Sequence, residues 1–130
     1  MLRIVNGSGF RKETDSIVGR YRSENWLSGS SAYYENIILA LDEIPVGFVS
    51  LRSDRIDVLY TVEDAPEGTE ERPLRSAMAL SMNRGRSSIS IHCIDPRGRT
   101  ERICRHAGFT EDGMCTCSQR DRTVCPRLIF

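Results

Sequence analysis

The chain has 130 residues, and we expect one domain over residues 1–130. Apolar residues make up 39% and charged residues 28%, a balance that is typical of a globular protein and argues against long disorder. Eighteen basic and eighteen acidic residues give a net charge of zero, so nucleic-acid binding is not the expected function. The longest apolar run, at residues 37–41, has the length of a strand and excludes a membrane-spanning helix. The sequence shows no secretory signal, and we expect a cytoplasmic location.

A strand, a turn and a helix are predicted at the start of the chain. Residues 2–5 alternate between apolar and charged, as a half-buried strand does. Residues 6–9 contain two glycines and predict a turn. A helix is predicted over residues 13–27, with Thr14 or Asp15 as its N-cap. Its apolar side is formed by Ile17, Val18, Tyr21 and Trp26.

Three strands are predicted next, at residues 33–41, 46–51 and 56–62, and the first two form a hairpin. Polar turns separate them at residues 42–45 and 52–55. One face of the third strand carries the alternating apolar residues Ile56, Val58, Tyr60 and Val62. Leu59 makes the other face apolar at its centre, which is typical of a strand deep inside a sheet.

The second half of the chain predicts two further helices. A polar loop at residues 63–71 leads into a helix that begins at Arg72 or Pro73 and ends near residue 83. A strand at residues 88–94 follows, and then a short helix at residues 99–106. Two last strands, at residues 114–118 and 124–129, flank a polar turn at residues 119–123.

The predicted order is β-α-β-β-β-α-β-α-β-β, a mixed α/β sheet. A strand-helix-strand passage within one sheet requires a right-handed crossover. We therefore expect the strands at residues 56–62 and 88–94 to run parallel and to diverge at their C-terminal ends.

This order, with four local segments, resembles the GNAT (Gcn5-related N-acetyltransferase) family. IPVGFVSLR at residues 44–52 looks like the third strand of the family, and IDVLYTVEDAP at residues 56–66 looks like its fourth. SISIHCI at residues 88–94 looks like the fifth strand, and ERICRHAGFTEDG at residues 101–113 looks like the helix-Gly-Phe ending. The resemblance extends over nearly the whole chain.

The resemblance implies acetyl-CoA as co-substrate, with its pantetheine arm between the splayed fourth and fifth strands. Backbone groups of Tyr60, Thr61 and Val62 would then line the arm. The loop before the following helix would bind the pyrophosphate with backbone N–H groups. The residues implied there are Gly68, Thr69, Arg72 and Arg75.

That loop departs from the family pattern, Arg/Gln-x-x-Gly-x-Gly/Ala. This chain has EGTEERP at residues 67–73, in which only Gly68 fits a glycine position. Glu70 and Glu71 would place negative charge beside a pyrophosphate, at about 1 kcal/mol for each pair that is exposed to water. Pro73 removes one N–H donor.

The resemblance also implies an N-acyltransferase in which the amine of a small molecule or a protein attacks the thioester directly. Cys104 stands where the family has a tyrosine that reprotonates the thiolate, although a buried thiol with a packing role fits the same position. A general base near the fourth strand would be Asp57, Glu63 or Asp64. The acceptor side would carry Trp26, Tyr33 and Tyr34. The alternative function is a degenerate GNAT-like binding module that no longer uses acetyl-CoA.

Five cysteines occur in the second half of the chain. An odd number without a signal peptide predicts reduced thiols. Their spacing lacks the two tight pairs that structural zinc sites use, so no metal is expected. If two of them did pair, Cys117 and Cys125 would be the pair placed to meet across the last hairpin.

Overall fold

The structure is a computed structural model that describes residues 1–24, 36–52, 55–91, 105–117 and 120–129, with the backbone alone for residues 110–117 and 120–129. Its elements in chain order are β1 (Arg3–Asn6), a 3-10 turn (Gly7–Gly9), α1 (Arg11–Glu24), β2 (Ile37–Asp42), β3 (Ile44–Arg52), β4 (Arg55–Thr61), α2 (Glu71–Asn83), β5 (Ser88–Ile91), β6 (Thr110–Cys117) and β7 (Arg120–Ile129).

The strands form one sheet in the order β1-β2-β3-β4-β5-β7-β6. Every neighbouring pair is antiparallel except β4 and β5, which are parallel. The mixed α/β sheet predicted from the sequence is therefore confirmed. Among the described residues, no helix is both long and apolar enough to cross a membrane.

The parallel pair lies at the centre of the sheet, as the crossover argument predicts. Arg55 pairs with Ser90 and Ile56 pairs with Ile91, so the start of β4 is aligned with the end of β5. The predicted divergence would begin beyond these pairs. It involves residues 92–94, which lie outside the described residues.

The two helices cover opposite faces of the sheet and create two apolar cores. Ile17, Val18 and Tyr21 of α1 are buried in a cluster with Phe48 and Tyr60. The other cluster contains two buried residues of α2 together with residues of four strands: Leu74, Ala77, Ile38, Val49, Leu59 and Ile89. The predicted apolar side of the first helix is confirmed for its three described residues, and Trp26 lies outside the described part of the chain.

A β-bulge at Asp57 corrects the predicted face of β4. Ser50 pairs with Val58 but Leu51 pairs with Ile56, so the register shifts by one residue at Asp57. Val58 belongs to the α1 core, whereas Ile56 belongs to the α2 core. The prediction that Ile56 shares a face with Val58 was wrong, because an extra residue in one strand reverses the alternation beyond it.

The predicted cap of α1 was also wrong. The helix begins at Arg11, and Thr14 is buried inside its first turn. The Thr14 hydroxyl donates to the carbonyl of Gly7 at 3.1 Å. Asn6 caps the 3-10 turn instead, because its side-chain oxygen accepts from the Ser8 N–H at 2.9 Å. The threonine therefore joins the two helical segments.

The hairpin turns are tighter than the sequence predicts. β2 runs to Asp42 and β3 begins at Ile44, which leaves only Glu43, at a φ of 67°, between the strands. At the other end of the chain, Arg120 already pairs with Cys117. Polar residues extend this strand because pairing with β6 satisfies their backbone groups, whatever their side chains are.

The register of the last hairpin also separates the two cysteines that the sequence suggests as a pair. Cys117 pairs with Arg120, and Cys125 lies five residues further along β7, between the pairs at Val124 and Pro126. Five residues of strand span about 17 Å, whereas the Cα atoms of a disulfide lie within about 7 Å of each other. The register therefore places Cys117 and Cys125 too far apart to form a disulfide with each other.

Candidate functional site

The last part of β4 and the residue after it, residues 59–62, form what we call the strand end. Their side chains are all buried. Leu59 packs into the α2 core, and Tyr60 packs into the α1 core, where its ring lies 5.2 Å from that of Tyr21 and 6.0 Å from that of Phe48. Packing on both faces fixes the position of the backbone between them.

The backbone of the strand end points in two directions. The N–H of Val62 donates to the carbonyl of Val46 in β3 at 2.9 Å. Hydrogen-bonding groups alternate along an antiparallel strand, and Phe48 pairs with Tyr60, so Tyr60 and Val62 face β3. The N–H and C=O of Leu59 and Thr61 therefore point to the other side of the strand, away from β3.

Gly47 allows β3 to approach the strand end closely. A Cβ added at Gly47 would lie 2.9 Å from the carbonyl oxygen of Tyr60 and 3.0 Å and 3.1 Å from the methyl groups of Thr69 and Thr61. No role is predicted for this glycine from the sequence. The one available signal was its position in a strand interior, where glycine marks a close backbone approach.

The loop between β4 and α2, residues 62–70, is held by its own hydrogen bonds. The N–H and the hydroxyl of Thr69 both donate to the carbonyl of Pro66, at 3.2 Å and 2.7 Å. The N–H of Arg72 donates to the carbonyl of Gly68 at 3.0 Å. Gly68 has a φ of +90°, which favours glycine. The N–H groups of Thr69 and Arg72, on either side of the first residue of α2, therefore already donate to carbonyl groups of the loop.

Side chains of residues 70–75, which we call the helix start, are paired with protein groups. The hydroxyl of Thr61 donates to Glu70 at 3.3 Å, which joins the helix start to the strand end. Arg72 donates to the carbonyl of Leu2 at 3.0 Å. Arg75 donates twice to one oxygen of Glu71, at 2.8 Å and 3.0 Å. Both arginines of the helix start thus have partners within the protein.

Glu71 is the centre of a small charged cluster. In addition to Arg75, Nδ1 of His106 lies 3.4 Å from the same carboxylate oxygen. The hydrogen bonds from Arg75, and to a smaller extent from His106, lower the pKa of Glu71 below its ordinary value. Glu71 is therefore an anion at neutral pH.

The two parts of the CoA site that the resemblance implies fit this chain differently. The resemblance places a pantetheine arm at the strand end, where Leu59 and Thr61 direct backbone groups away from β3. The helix start does not fit a pyrophosphate. Glu70 and Glu71 place carboxylates there, Pro73 has no N–H, and the N–H groups of Thr69 and Arg72 are used.

The three candidate bases lie at opposite ends of β4. Asp57 follows the start of the strand, where Arg55 and Arg52 bind its two carboxylate oxygens at 2.8 Å and 3.2 Å. Glu63 and Asp64 are exposed and follow the strand end. Six residues of strand separate Asp57 from Glu63, or about 20 Å. The structure therefore does not bring Asp57 close to Glu63.

Other predicted site residues lie outside the described part of the chain, namely Cys104, Trp26, Tyr33 and Tyr34. Of the short helix predicted at residues 99–106, only Arg105 and His106 are described; both are helical, and Gly108 follows at a φ of 103°. Within the described residues, no group of three His, Cys, Asp or Glu side chains is placed to hold a metal ion.

Comparison with solved structures identifies the fold. An acetyltransferase of the GNAT family from Staphylococcus aureus Mu50 superimposes with a TM-score of 0.72 at 11% identity and covers 99% of each chain. A candidate acetyltransferase from Salmonella typhimurium, solved with its cofactor acetyl-CoA, gives a TM-score of 0.71 at 10% identity and covers 99% of this chain and 92% of its own.

A third structure, the NatC complex bound to Gag peptide and CoA, gives a TM-score of 0.69 at 13% identity and covers 99% of this chain and 98% of the matched one. No family model and no curated protein sequence matches the chain. The chain therefore has the fold of the GNAT acetyltransferases, at identities that establish the fold alone.

Proposed function

We propose that this chain, which has the fold of the GNAT acetyltransferases, is an N-acyltransferase that takes its acyl group from acetyl-CoA and transfers it to an amine. The observation that carries the proposal is the strand end. Leu59 and Thr61 direct backbone groups away from β3, and packing in both cores fixes the strand between them. A structure of the same fold contains acetyl-CoA, and a fixed strand with backbone groups directed to one side is what the pantetheine arm of a thioester requires.

The proposed reaction needs only the thioester and the amine. A bond forms between the amine nitrogen and the acyl carbon, and the bond between that carbon and sulfur breaks. One proton leaves the nitrogen and one proton is gained by the sulfur, so the products are an amide and a free thiol. The protein has to orient the two reactants and move the two protons.

Glu63 is the proposed general base. It follows the strand end directly and is exposed, so an acceptor amine can approach it directly or through one water. Asp57 is not proposed, because two arginines bind its carboxylate at the far end of the strand. Cys104 stays the proposed proton donor to the sulfur, and Trp26, Tyr33 and Tyr34 stay the proposed acceptor-side residues.

The charge beside the strand end favours an amine acceptor. Glu63 and Asp64 are both exposed there, and amines are mostly cations at neutral pH. Surface carboxylates raise the local concentration of a cationic substrate and speed its arrival. The acceptor class that this charge supports is a primary amine on a small molecule or on a peptide.

The test is a turnover assay with acetyl-CoA and a panel of primary amines, including polyamines and peptides with free N-termini. Free thiol is measured with a thiol-reactive dye, and the acetylated amine is identified by mass spectrometry. We expect at least one amine to be acetylated, and Glu63→Gln to slow its turnover at least tenfold at pH 7. Glu67→Gln, an exposed acid in the same loop, is the matched control and should change the rate less than twofold.

A second function, a binding module without acyl transfer, is favoured by the helix start. Its two carboxylates, its proline and its used N–H groups do not fit a pyrophosphate. Two results together would contradict the proposed acyltransferase activity: no thiol is released with any amine, and neither acetyl-CoA nor S-acetyl-pantetheine binds at millimolar concentration. The binding module would then be the remaining function.

A further inference from the structure

We infer that the end of the sheet where β4 begins, opposite the strand end, is a docking surface for an acidic protein segment. Its residues are arginines with one aspartate and one methionine, and we call them the arginine surface: Arg52, Arg55, Asp57, Met82, Arg84 and Arg86. They come from the β3–β4 hairpin and from the end of α2 and the residues after it. The inference does not rest on the proposed function, because none of these residues belongs to the proposed acyl-transfer site.

Hydrogen bonds through Asn36 join the end of α2 to the hairpin. Arg84 donates to the side-chain oxygen of Asn36 at 3.2 Å. The side-chain nitrogen of Asn36 donates to the carbonyl of Leu51 at 3.3 Å, and the N–H of Leu51 donates to the carbonyl of Asn36 at 3.3 Å. Asn36 has a φ of 46°, a left-handed conformation that asparagine tolerates better than most residues. These contacts hold Arg84 beside the strand that leads into Arg52.

A single carboxylate orients the two arginines of the hairpin. Nε of Arg55 and Nε of Arg52 lie 2.8 Å and 3.2 Å from separate oxygens of Asp57, whose side chain is 13% exposed, against 40% and 43% for the two arginines. The outer nitrogens of Arg55 form no hydrogen bond with the described residues. Glu35 and Asp54, which adjoin the arginine surface in the sequence, lie outside the described residues. Asp57 thus fixes two guanidinium groups and offsets the charge of one.

The arginines that follow α2 are not needed to close the helix. The carbonyls of Leu80, Ser81 and Met82 accept from backbone N–H groups of residues 84–86 at 2.9–3.2 Å. Backbone bonds of this kind satisfy the last carbonyls of a helix that ends in a left-handed residue. The side chain of Arg86 is exposed and forms no hydrogen bond or ion pair with the described residues. Its guanidinium group is therefore available to a partner.

The chemistry of the arginine surface favours a peptide over a nucleic acid. The guanidinium group of arginine binds a carboxylate with two parallel N–H bonds. Met82, in the last turn of α2, is 55% exposed and offers an adaptable apolar contact that a peptide side chain can cover. The chain has no net positive charge, whereas nucleic-acid binders are typically basic. The partner that fits is a segment of aspartates and glutamates that contains an apolar residue.

The test is fluorescence anisotropy of the full chain with a labelled peptide of glutamates around one central leucine. We expect saturable binding at or below millimolar concentration that weakens as salt is added. The same peptide with glutamines in place of the glutamates should not bind, and a labelled single-stranded DNA of equal charge should bind more weakly. No binding of the acidic peptide, or binding of the DNA that is as tight or tighter, would overturn the inference.

Paired arginine variants locate the bound peptide. Arg84→Gln with Arg86→Gln should weaken binding of the acidic peptide at least threefold. Arg20→Gln with Arg22→Gln is the matched control, because it removes the same charge from α1, on the opposite face of the sheet. The control should change the affinity less than twofold, and circular dichroism checks that both variants are folded. A loss below threefold in the first variant, or an equal loss in both, would overturn the inference.

The apolar contact has a test of its own. Met82→Ser should weaken binding of the leucine peptide at least twofold and leave unchanged the binding of a peptide with serine in place of the leucine. Met82 is exposed, so we expect the variant to fold as the unmodified chain does. An equal effect on the two peptides would contradict the inference that the segment places an apolar residue on Met82.

Discussion

The strand end and the helix start lie beside each other but are built for different contacts. Residues 59–62 are buried on both faces of the sheet, and the backbone groups of Leu59 and Thr61 point away from β3. The polar side chains of residues 70–75 pair with groups of the protein, among them Thr61, Leu2 and His106, and several of these contacts lie at the surface. The two halves of the proposed site therefore differ in their contacts and have to be tested separately.

The largest expected effect is on the packing of the strand end. Leu59→Ala removes a buried side chain from the α2 core and should lower the free energy of unfolding by about 2–5 kcal/mol. Urea denaturation followed by circular dichroism measures it. A loss below about 1 kcal/mol would show that the strand end is not fixed by its core.

Gly47→Ala tests the close approach of β3 to the strand end. The added methyl meets the carbonyl oxygen of Tyr60 at 2.9 Å, so we expect a loss of about 1–3 kcal/mol in the free energy of unfolding. Gly19→Ala is the matched control, because Gly19 lies in α1 with nothing within 4 Å of the added Cβ. The control should stabilise the protein by about 0.5–1 kcal/mol. Equal effects of the two changes would contradict the account.

Gly68→Ala tests the loop that leads to the helix start. At a φ of +90°, alanine should cost about 1–2 kcal/mol of stability. The change leaves the strand end untouched, so pantetheine affinity should stay within twofold while thermal stability falls. A large loss of pantetheine affinity with unchanged stability would assign this loop to the ligand and not to the fold.

The smallest expected effect concerns the charge on Glu71. Because its pKa in the folded chain is lowered, its pairing stabilises the protein above the unfolded pKa, about 4.3. That stabilisation is lost as the pH falls through the folded pKa. The stability difference between the unmodified chain and Glu71→Gln should therefore be constant from pH 7 to about 5 and shrink toward pH 3. A difference that grows as the pH falls would contradict the pairing with Arg75.

Much of the sheet could be predicted because most of its strands show a recognisable pattern of apolar residues in the local sequence. Alternating apolar residues predicted the positions of β4 and β5. Because a helix connects these two strands, they were also predicted to be parallel, as they are. The bulge at Asp57 could not be predicted, because the spacing of Ile56 and Val58 in the sequence is the same whether or not a bulge lies between them. The strand through Arg120 was missed because its residues are polar, and only pairing with β6 makes them a strand.

The candidate site divides in the same way. The carboxylates of Glu70 and Glu71 and the missing donor at Pro73 could be read from the sequence. The partners of Thr69, Arg72 and Arg75 depend on how the loop folds back on Pro66 and Gly68, and no local pattern indicates them. The two arginines that bind the carboxylate of Asp57 could likewise be identified only from the structure.

The most direct test of the account is a map of backbone amide shifts. In ¹⁵N–¹H spectra of the labelled chain titrated with CoA, the amides of Leu59 and Thr61 should shift most, and those of Thr69 and Arg72 should shift little. Titration with pantetheine should reproduce the same pattern. Largest shifts at Thr69 and Arg72, with little change at Leu59 and Thr61, would contradict the central claim that this chain holds its acyl donor at the strand end.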